Sequence, residues 1–232
     1  MSIFNVSQSV GEIVSIMPKA SEVFKEYNID FCCGGNRSLK EAIGEQKLNE
    51  LEVLGKLDRA YEEVRKFADQ ADFREMSPSE LIDYIVNMHH AYVKKILPEL
   101  SELTAKILRV HGPNHGDLFK VHKLFHSLKT ELEQHLIKEE EILFPMIKEY
   151  DSGQSKGLPE RITAVLMETE DEHESAGGVL KELRKITRDY KVPEDGCSTY
   201  CKTFDKLQEL EADLFQHIHL ENNILFKQLG HI

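Results

Sequence analysis

Apolar residues recur at three- and four-residue spacing through most of the chain, and glycine and proline cluster between those stretches. The period is that of helices with one buried face, and the clusters mark where they end. Four long segments stand out, at about 78–110, 117–150, 159–190 and 199–229, separated by HGPNHG, DSGQSKGLPE and KVPEDGCS. At about 30 residues each they would span about 45 Å, and short connections favour antiparallel neighbours. The expected fold is all-α, an up-down-up-down four-helix bundle. Ser77-Pro78-Ser79-Glu80 supplies a cap, a first-turn proline and a capping-box glutamate at its start. Pro98 should kink the first helix or mark a local break.

The periodicity lapses over 68–77, ADQADFREMS, which predicts a domain boundary, with a small helical domain at 1–67 and the bundle at 77–232. The small domain reads as VGEIVSIM, then PKASEVFKEY opening with Pro18, then the loop DFCCGGN, then SLKEAIGEQ and a last helix from about 49 to 67. So few residues make a thin core, so this module is expected to lean on the bundle or on a second subunit, as in a homodimer.

Charge narrows the partners. A formal net charge of -12 opposes binding to phosphate backbones, so nucleic acid is not expected. No run approaches the roughly 18 apolar residues that cross a bilayer, and MSIFNVSQSV lacks the charged flank and apolar stretch of a secretory signal. A cytoplasmic protein without membrane contact is expected. The four cysteines, two of them adjacent, do not form a disulfide framework and fit reduced thiols.

The chemistry lies in a repeat. His135-Leu-Ile-Lys-Glu139 is followed by Ile142-Leu143-Phe144, and His217-Ile-His-Leu-Glu221 by Ile224-Leu225-Phe226. A histidine and a glutamate four apart share one helix face. A single such pair is commonplace, but repetition with the same apolar continuation sets both pairs beside a core-facing stripe. The other two long segments offer His90 and His173, and the intervals from His90 to His135 and from His173 to His217 are nearly equal, as in a duplicated helix pair. The candidate metal ligands are therefore His90, His135, Glu139, His173, His217 and Glu221. Four imidazoles and two carboxylates suit iron better than zinc, with manganese also possible. Two irons would take two histidines each, the glutamates could bridge them, and open positions would remain for an oxo bridge, dioxygen or nitric oxide.

Asp30-Phe31-Cys32-Cys33-Gly34-Gly35 followed by these repeats resembles the family of iron-sulfur cluster repair di-iron proteins, and the likeness spans essentially the whole chain. The hexapeptide resembles that family's N-terminal domain, while HLIKEEEILFPMI and HIHLENNILF resemble its hemerythrin-like bundle. The resemblance implies a histidine/carboxylate-bridged pair of non-haem irons that serves to restore iron-sulfur clusters damaged by nitrosative or oxidative stress. Two departures stand out. Adjacent His89 and His90 occupy the place of one ligand histidine, with the distance to Leu97-Pro98 favouring His90, and Lys227 stands where the first repeat has Pro145.

Other residues carry plainer expectations. His89, His111, His115, His122, His126, His219 and His231 lack a repeat partner and read as exposed or structurally bonded imidazoles. Glu140, Glu141, Glu172 and Glu174 flank candidate ligands in acidic runs that read as a solvated helix face, although they could also hydrogen-bond a ligand histidine. Cys32 and Cys33 read either as a buried pair of small hydrophobes or, the favoured reading, as thiols handling metal, sulfur or electrons, with a following helix N-terminus able to lower a thiol pKa. Cys197 and Cys201, four apart at the start of the fourth long helix, read as packing or incidental residues rather than as a metal clip. Three functions fit: repair of clusters in iron-sulfur client proteins by supplying iron or electrons; an enzyme that reduces nitric oxide; or a reversible carrier or sensor of dioxygen or nitric oxide.

Overall fold

The computed structural model describes residues 3–64, 72–153 and 160–230. The parts of the predicted segments at 65–71 and 154–159, together with His231, lie outside the described residues. Among the described residues there is no strand beyond an isolated bridge between Ser9 and Ser38, and no helix is long and apolar enough to cross a membrane. The contacts divide the chain into two compact units, Met1–Leu81 with Phe215–Ile232, and Ile82–Leu214.

In the first unit four short helices surround the cysteine loop: α1 (Val10–Ile16), α2 (Ala20–Glu26), α3 (Leu39–Glu45) and α4 (Glu50–Val64). Serines start two of them. Ser9 Oγ accepts from Glu12 N at 3.1 Å, and Ser38 with Glu41 forms a reciprocal capping box, each satisfying amide groups that a helix start leaves over. Phe4, Ile13, Phe24, Phe31, Leu39 and Leu57 fill the core, and Phe215 from the far end of the chain packs against it.

The second unit is the all-α bundle. The Ser77–Glu80 capping box opens α5 (Pro78–Ile85), whose residues up to Leu81 still belong to the first unit, and α5 leads through a π-helical turn at Val86–His90 into α6 (Ala91–His111). There follow α7 (Asp117–Lys138), a second π turn at Glu139–Leu143, α8 (Phe144–Asp151), α9 (Glu160–Ile186) and α10 (Ser198–Leu220). A third π turn, Glu221–Leu225, and the short α11 (Phe226–Gln228) close the chain and belong to the first unit. Helix α6 runs unbroken through Pro98. Proline removes one hydrogen bond there, and burial of Val93, Leu97 and Leu100 on either side holds the helix across it. The change of helical character comes earlier, at the π turn. Arg184 of α9 makes a two-pronged ion pair with the buried Glu211 of α10, and its guanidinium lies 5.4 Å from the ring of Tyr190. Tyr190 is carried there by Arg188, Asp189 and Tyr190 itself, all in the left-handed region.

Candidate metal centre

The π turns coincide with the chemistry. The turn after α7 closes with Phe144 N–H on the Glu139 carbonyl, a five-residue step where an α-helix takes four. His135, Glu139 and Phe144 therefore all face inward, each 5 % exposed or less. The turn at Glu221 closes in the same way on Phe226, and the turn ending at His90 closes from Ala91 N–H to the Val86 carbonyl. Three of the four ligand-bearing segments thus contain a π turn that begins or ends on a candidate ligand, while α9, carrying His173, is α-helical throughout. Such turns cluster at functional sites because they re-aim side chains.

Within the second unit the side chains converge on Glu139. His90 Nε2 is 3.4 Å and His135 Nε2 3.3 Å from Glu139 Oε2. His173 Nε2 lies 3.2 Å from His135 Nε2 and 4.0 Å from Glu139 Oε1. Neither Glu139 oxygen, both buried, accepts a hydrogen bond from the described residues. Behind two of the imidazoles stand carboxylates. His90 Nδ1 is 2.7 Å from Glu140 Oε1, with Lys94 Nζ on the same carboxylate, and His135 Nδ1 is 2.6 Å from Glu172 Oε2, with Lys138 Nζ at 2.7 Å. The bond from His135, aided by Lys138 against the opposing effect of burial, holds Glu172 down at about 2. Burial pushes Glu140 up, yet bonds from Lys94 and His90 keep it below the usual carboxylate range. An ionised carboxylate on Nδ1 fixes the tautomer that donates there and turns the Nε2 lone pair toward Glu139. Lone pairs and a buried carboxylate facing one another without a proton between them repel, and a metal cation relieves that repulsion. The donors are nitrogen and oxygen only, which suits iron.

The adjacent histidines divide their work. His90 faces Glu139, whereas His89, also buried, sets Nδ1 2.9 Å from Asp213 Oδ1.

In the first unit His217 and Glu221, both buried, lie 3.0 Å apart from Nε2 to Oε1. Just beyond them the chain meets the cysteine loop. Asn223 Nδ2 donates to the Cys32 carbonyl at 2.9 Å. A Cβ on Gly35 would lie 2.4 Å from Asn223 Oδ1, and one on Gly11 2.3 Å, so both positions need glycine for this approach. His219 is bonded into the same place, Nδ1 3.4 Å from the Phe31 carbonyl, and burial pulls its pKa down to about 4. Asp30 Oδ1 organises the loop by accepting from Cys32 N, Gly34 N and the Cys32 thiol. The expected lowering of the thiol pKa does not hold for Cys32. The hydrogen bond to Cys33, then burial and the Asp30 charge, push it well up. Cys33 is partly exposed, with its sulfur 3.7 Å from that of Cys32.

Of the four flanking glutamates, Glu140 and Glu172 lie on candidate ligands, Glu172 on His135 rather than on the neighbouring His173, and Asn223 was missed. Its signal was the place where the repeats part, Glu140-Glu141 after the first glutamate and Asn222-Asn223 after the second.

The hemerythrin HHE cation binding domain model matches residues 81–229, spanning all six histidine and glutamate candidates. A second model, a domain of unknown function (DUF542), matches residues 6–61, including both loop cysteines. Among curated proteins the chain is 36% identical over 219 residues to iron-sulfur cluster repair protein YtfE of Pectobacterium carotovorum, covering 94% of this chain and 95% of that protein. It is 31% identical over 222 residues to iron-sulfur cluster repair protein ScdA of Staphylococcus epidermidis, covering 95% and 97%. The chain belongs to the iron-sulfur cluster repair protein family. A YtfE protein of Shigella boydii is similar at 35% identity, covering 94% of each chain. Membership in this family rests on the full length, cysteine loop and bundle together.

Proposed function

We propose that this protein repairs iron-sulfur clusters damaged by nitrosative or oxidative stress, acting in the cytoplasm on iron-sulfur client proteins. In this reading His90, His135, Glu139, His173, His217 and Glu221 hold two iron ions, the two glutamates bridging them alongside an oxo group. The observation that carries it is the Glu139 carboxylate, buried without a hydrogen bond among the described residues and met by imidazole nitrogens at 3.3 and 3.4 Å. The names of the relatives supply the client class. Bound iron would supply a store that can be released to a damaged cluster, or electrons for its repair.

The chain's own contribution is positional. Glu140 with Lys94, and Glu172 with Lys138, hold two imidazoles with Nε2 inward before metal arrives, which lowers the cost of ordering the site. Protonation of Glu139 would remove its charge and weaken its hold, so the bridging carboxylates provide a way to let metal go. Cys33, the more exposed loop thiol, is the group of that pair available to a client. Nitric oxide or dioxygen is the small ligand of this reading, and the expected assembly is a homodimer.

The experiment begins with anaerobic purification and a metal count on wild type, Glu139→Ala and Glu221→Ala. Two irons in the wild type, lost or reduced in both variants, are expected. Ferrous wild-type protein should then reactivate a client enzyme whose cluster nitric oxide has damaged, and lose iron to a chelator as it does so. Reactivation by iron-free protein or by Glu139→Ala at wild-type rates would reject the reading. Stoichiometric nitrous oxide without reactivation would instead favour the reductase.

A further inference from the structure

The other end of the bundle brings together two connections that the chain separates by 80 residues. His111 closes α6, and His115 N–H donates to the His111 carbonyl at 2.9 Å, so the turn brings the two imidazoles near one another, tilted by 55° with centroids 6.2 Å apart. Opposite them, Asp195-Gly196-Cys197 leads into α10. A Cβ on Gly196 would meet Val192 at 2.4 Å, so glycine there permits the tight turn that sets Asp195 and Cys197 toward the histidines. The contacts are direct: His115 Nε2 lies 2.9 and 3.0 Å from the two Asp195 oxygens, and His111 Nε2 lies 3.2 Å from Cys197 Sγ. One ligand atom from each of His111, His115 and Asp195 falls within 4.8 Å of the others, while Cys197, in contact with His111, lies just outside that group. Tyr200 packs edge-on against both imidazoles, at 5.3 and 6.0 Å, and steadies them from the buried side.

We propose that His111, His115, Asp195 and Cys197 form a second metal site, of the zinc class, distinct from the histidine/glutamate centre. Two imidazoles, a carboxylate and a thiolate are four donors of the kinds zinc takes, and their two negative charges balance a divalent ion. Ligand atoms around tetrahedral zinc lie about 3.3–3.7 Å apart. The observed 3.2 Å between His111 and Cys197 and 2.9 Å between His115 and Asp195 open by a few tenths of an ångström in those two pairs, and the exposed Cys197 side chain turns inward from His111 to complete the set. The sulfur sets the metal class: thiolate selects zinc over the iron suited to a nitrogen/oxygen set. The spacing also fits, with the histidines separated by three residues as in zinc motifs. Binding releases the Cys197 thiol proton to solvent and involves no change in oxidation state. The ion would clip the α6–α7 turn to the start of α10 and mask an otherwise exposed thiol.

Cobalt(II) is the probe, because thiolate-to-cobalt charge transfer absorbs in the near ultraviolet and the histidine/glutamate centre contains no sulfur. Full-length protein carrying its iron is titrated anaerobically, alongside Cys197→Ser, His115→Ala and the double variant Cys32→Ser/Cys33→Ser, each checked for helicity. The wild type and the double variant should develop the band, saturating at one cobalt per chain and bleached by zinc. Cys197→Ser should lack it, and His115→Ala should bind at least about tenfold more weakly. No band in the wild type, an unchanged band in Cys197→Ser, or unchanged affinity in His115→Ala would each overturn the site.

Discussion

Asn223 illustrates how much one side chain can hold. Its amide bonds the Cys32 carbonyl, and its oxygen sits where Gly11 and Gly35 leave room. Gly35→Ala puts a methyl 2.4 Å from that oxygen and 2.8 Å from the Phe31 carbonyl, which is overpacking against a fixed neighbour. A loss of about 1–3 kcal/mol in urea unfolding is expected, and an unchanged midpoint would show that Asn223 is dispensable to the loop. Cys197 offers a second test, in chelator-treated protein. Its hydrogen bond with His111 lowers its pKa from 9.0 to about 7. A lowered pKa puts the thiolate in reach at neutral pH, so alkylation should reach half its limiting rate near pH 7 and shift toward pH 9 in His111→Ala. A wild-type profile centred near 9 would contradict the pairing. The candidate ligands were legible because histidine and glutamate four apart are a helical pattern repeated with one apolar continuation. Asn223 and the His111–Cys197 pair were not, since each depends on contacts between residues far apart in sequence.

Helix number, order and ends were readable to within a few residues, because hydrophobic period and capping residues are local. The π turns were not. A π turn is one residue more than an α-turn requires, and nothing in Glu139–Leu143 or Glu221–Leu225 announces it, since the same residues suit an α-helix. The gain is geometric: the four-residue step from His135 to Glu139 and the five-residue step from Glu139 to Phe144 keep three side chains inward, with Phe144 stacked on His90 at 5.5 Å. The same device explains how adjacent His89 and His90 are both buried, which the roughly 100° between neighbours in an α-helix disfavours. Deleting the half-exposed Ile142 should let the segment relax to an α-helix. Helicity by circular dichroism should persist while metal content falls by half or more. Full metal content in the deletion variant would mean the π turn is incidental to the site.

For the molecule as a whole, the cut that sequence suggests and the cut that contacts make differ. Loss of periodicity at 68–77 invites division into 1–67 and 77–232, yet residues 215–232 belong with 1–81 in one compact unit. The physical reason is size: a core of short helices is small, and the C-terminal residues add apolar surface to it. Phe215 meets Phe31 at 6.1 Å, His219 bonds the Phe31 carbonyl, Asn223 holds the cysteine loop, and Gln228 donates to the Met76 carbonyl. Without those residues the loop keeps Asp30 as its organiser but loses the amide on Cys32 and the aromatic cover over Phe31. A fragment of residues 1–67 should therefore be largely unfolded, without a cooperative thermal transition and with both loop thiols alkylated as fast as in denaturant. Adding a peptide of residues 210–232 in excess should restore helicity and slow alkylation of Cys32, the thiol that is 2 % exposed in the intact chain. A 1–67 fragment that melts cooperatively and protects Cys32 by itself would make the N-terminal module an autonomous domain, with the C-terminal residues an accessory to it.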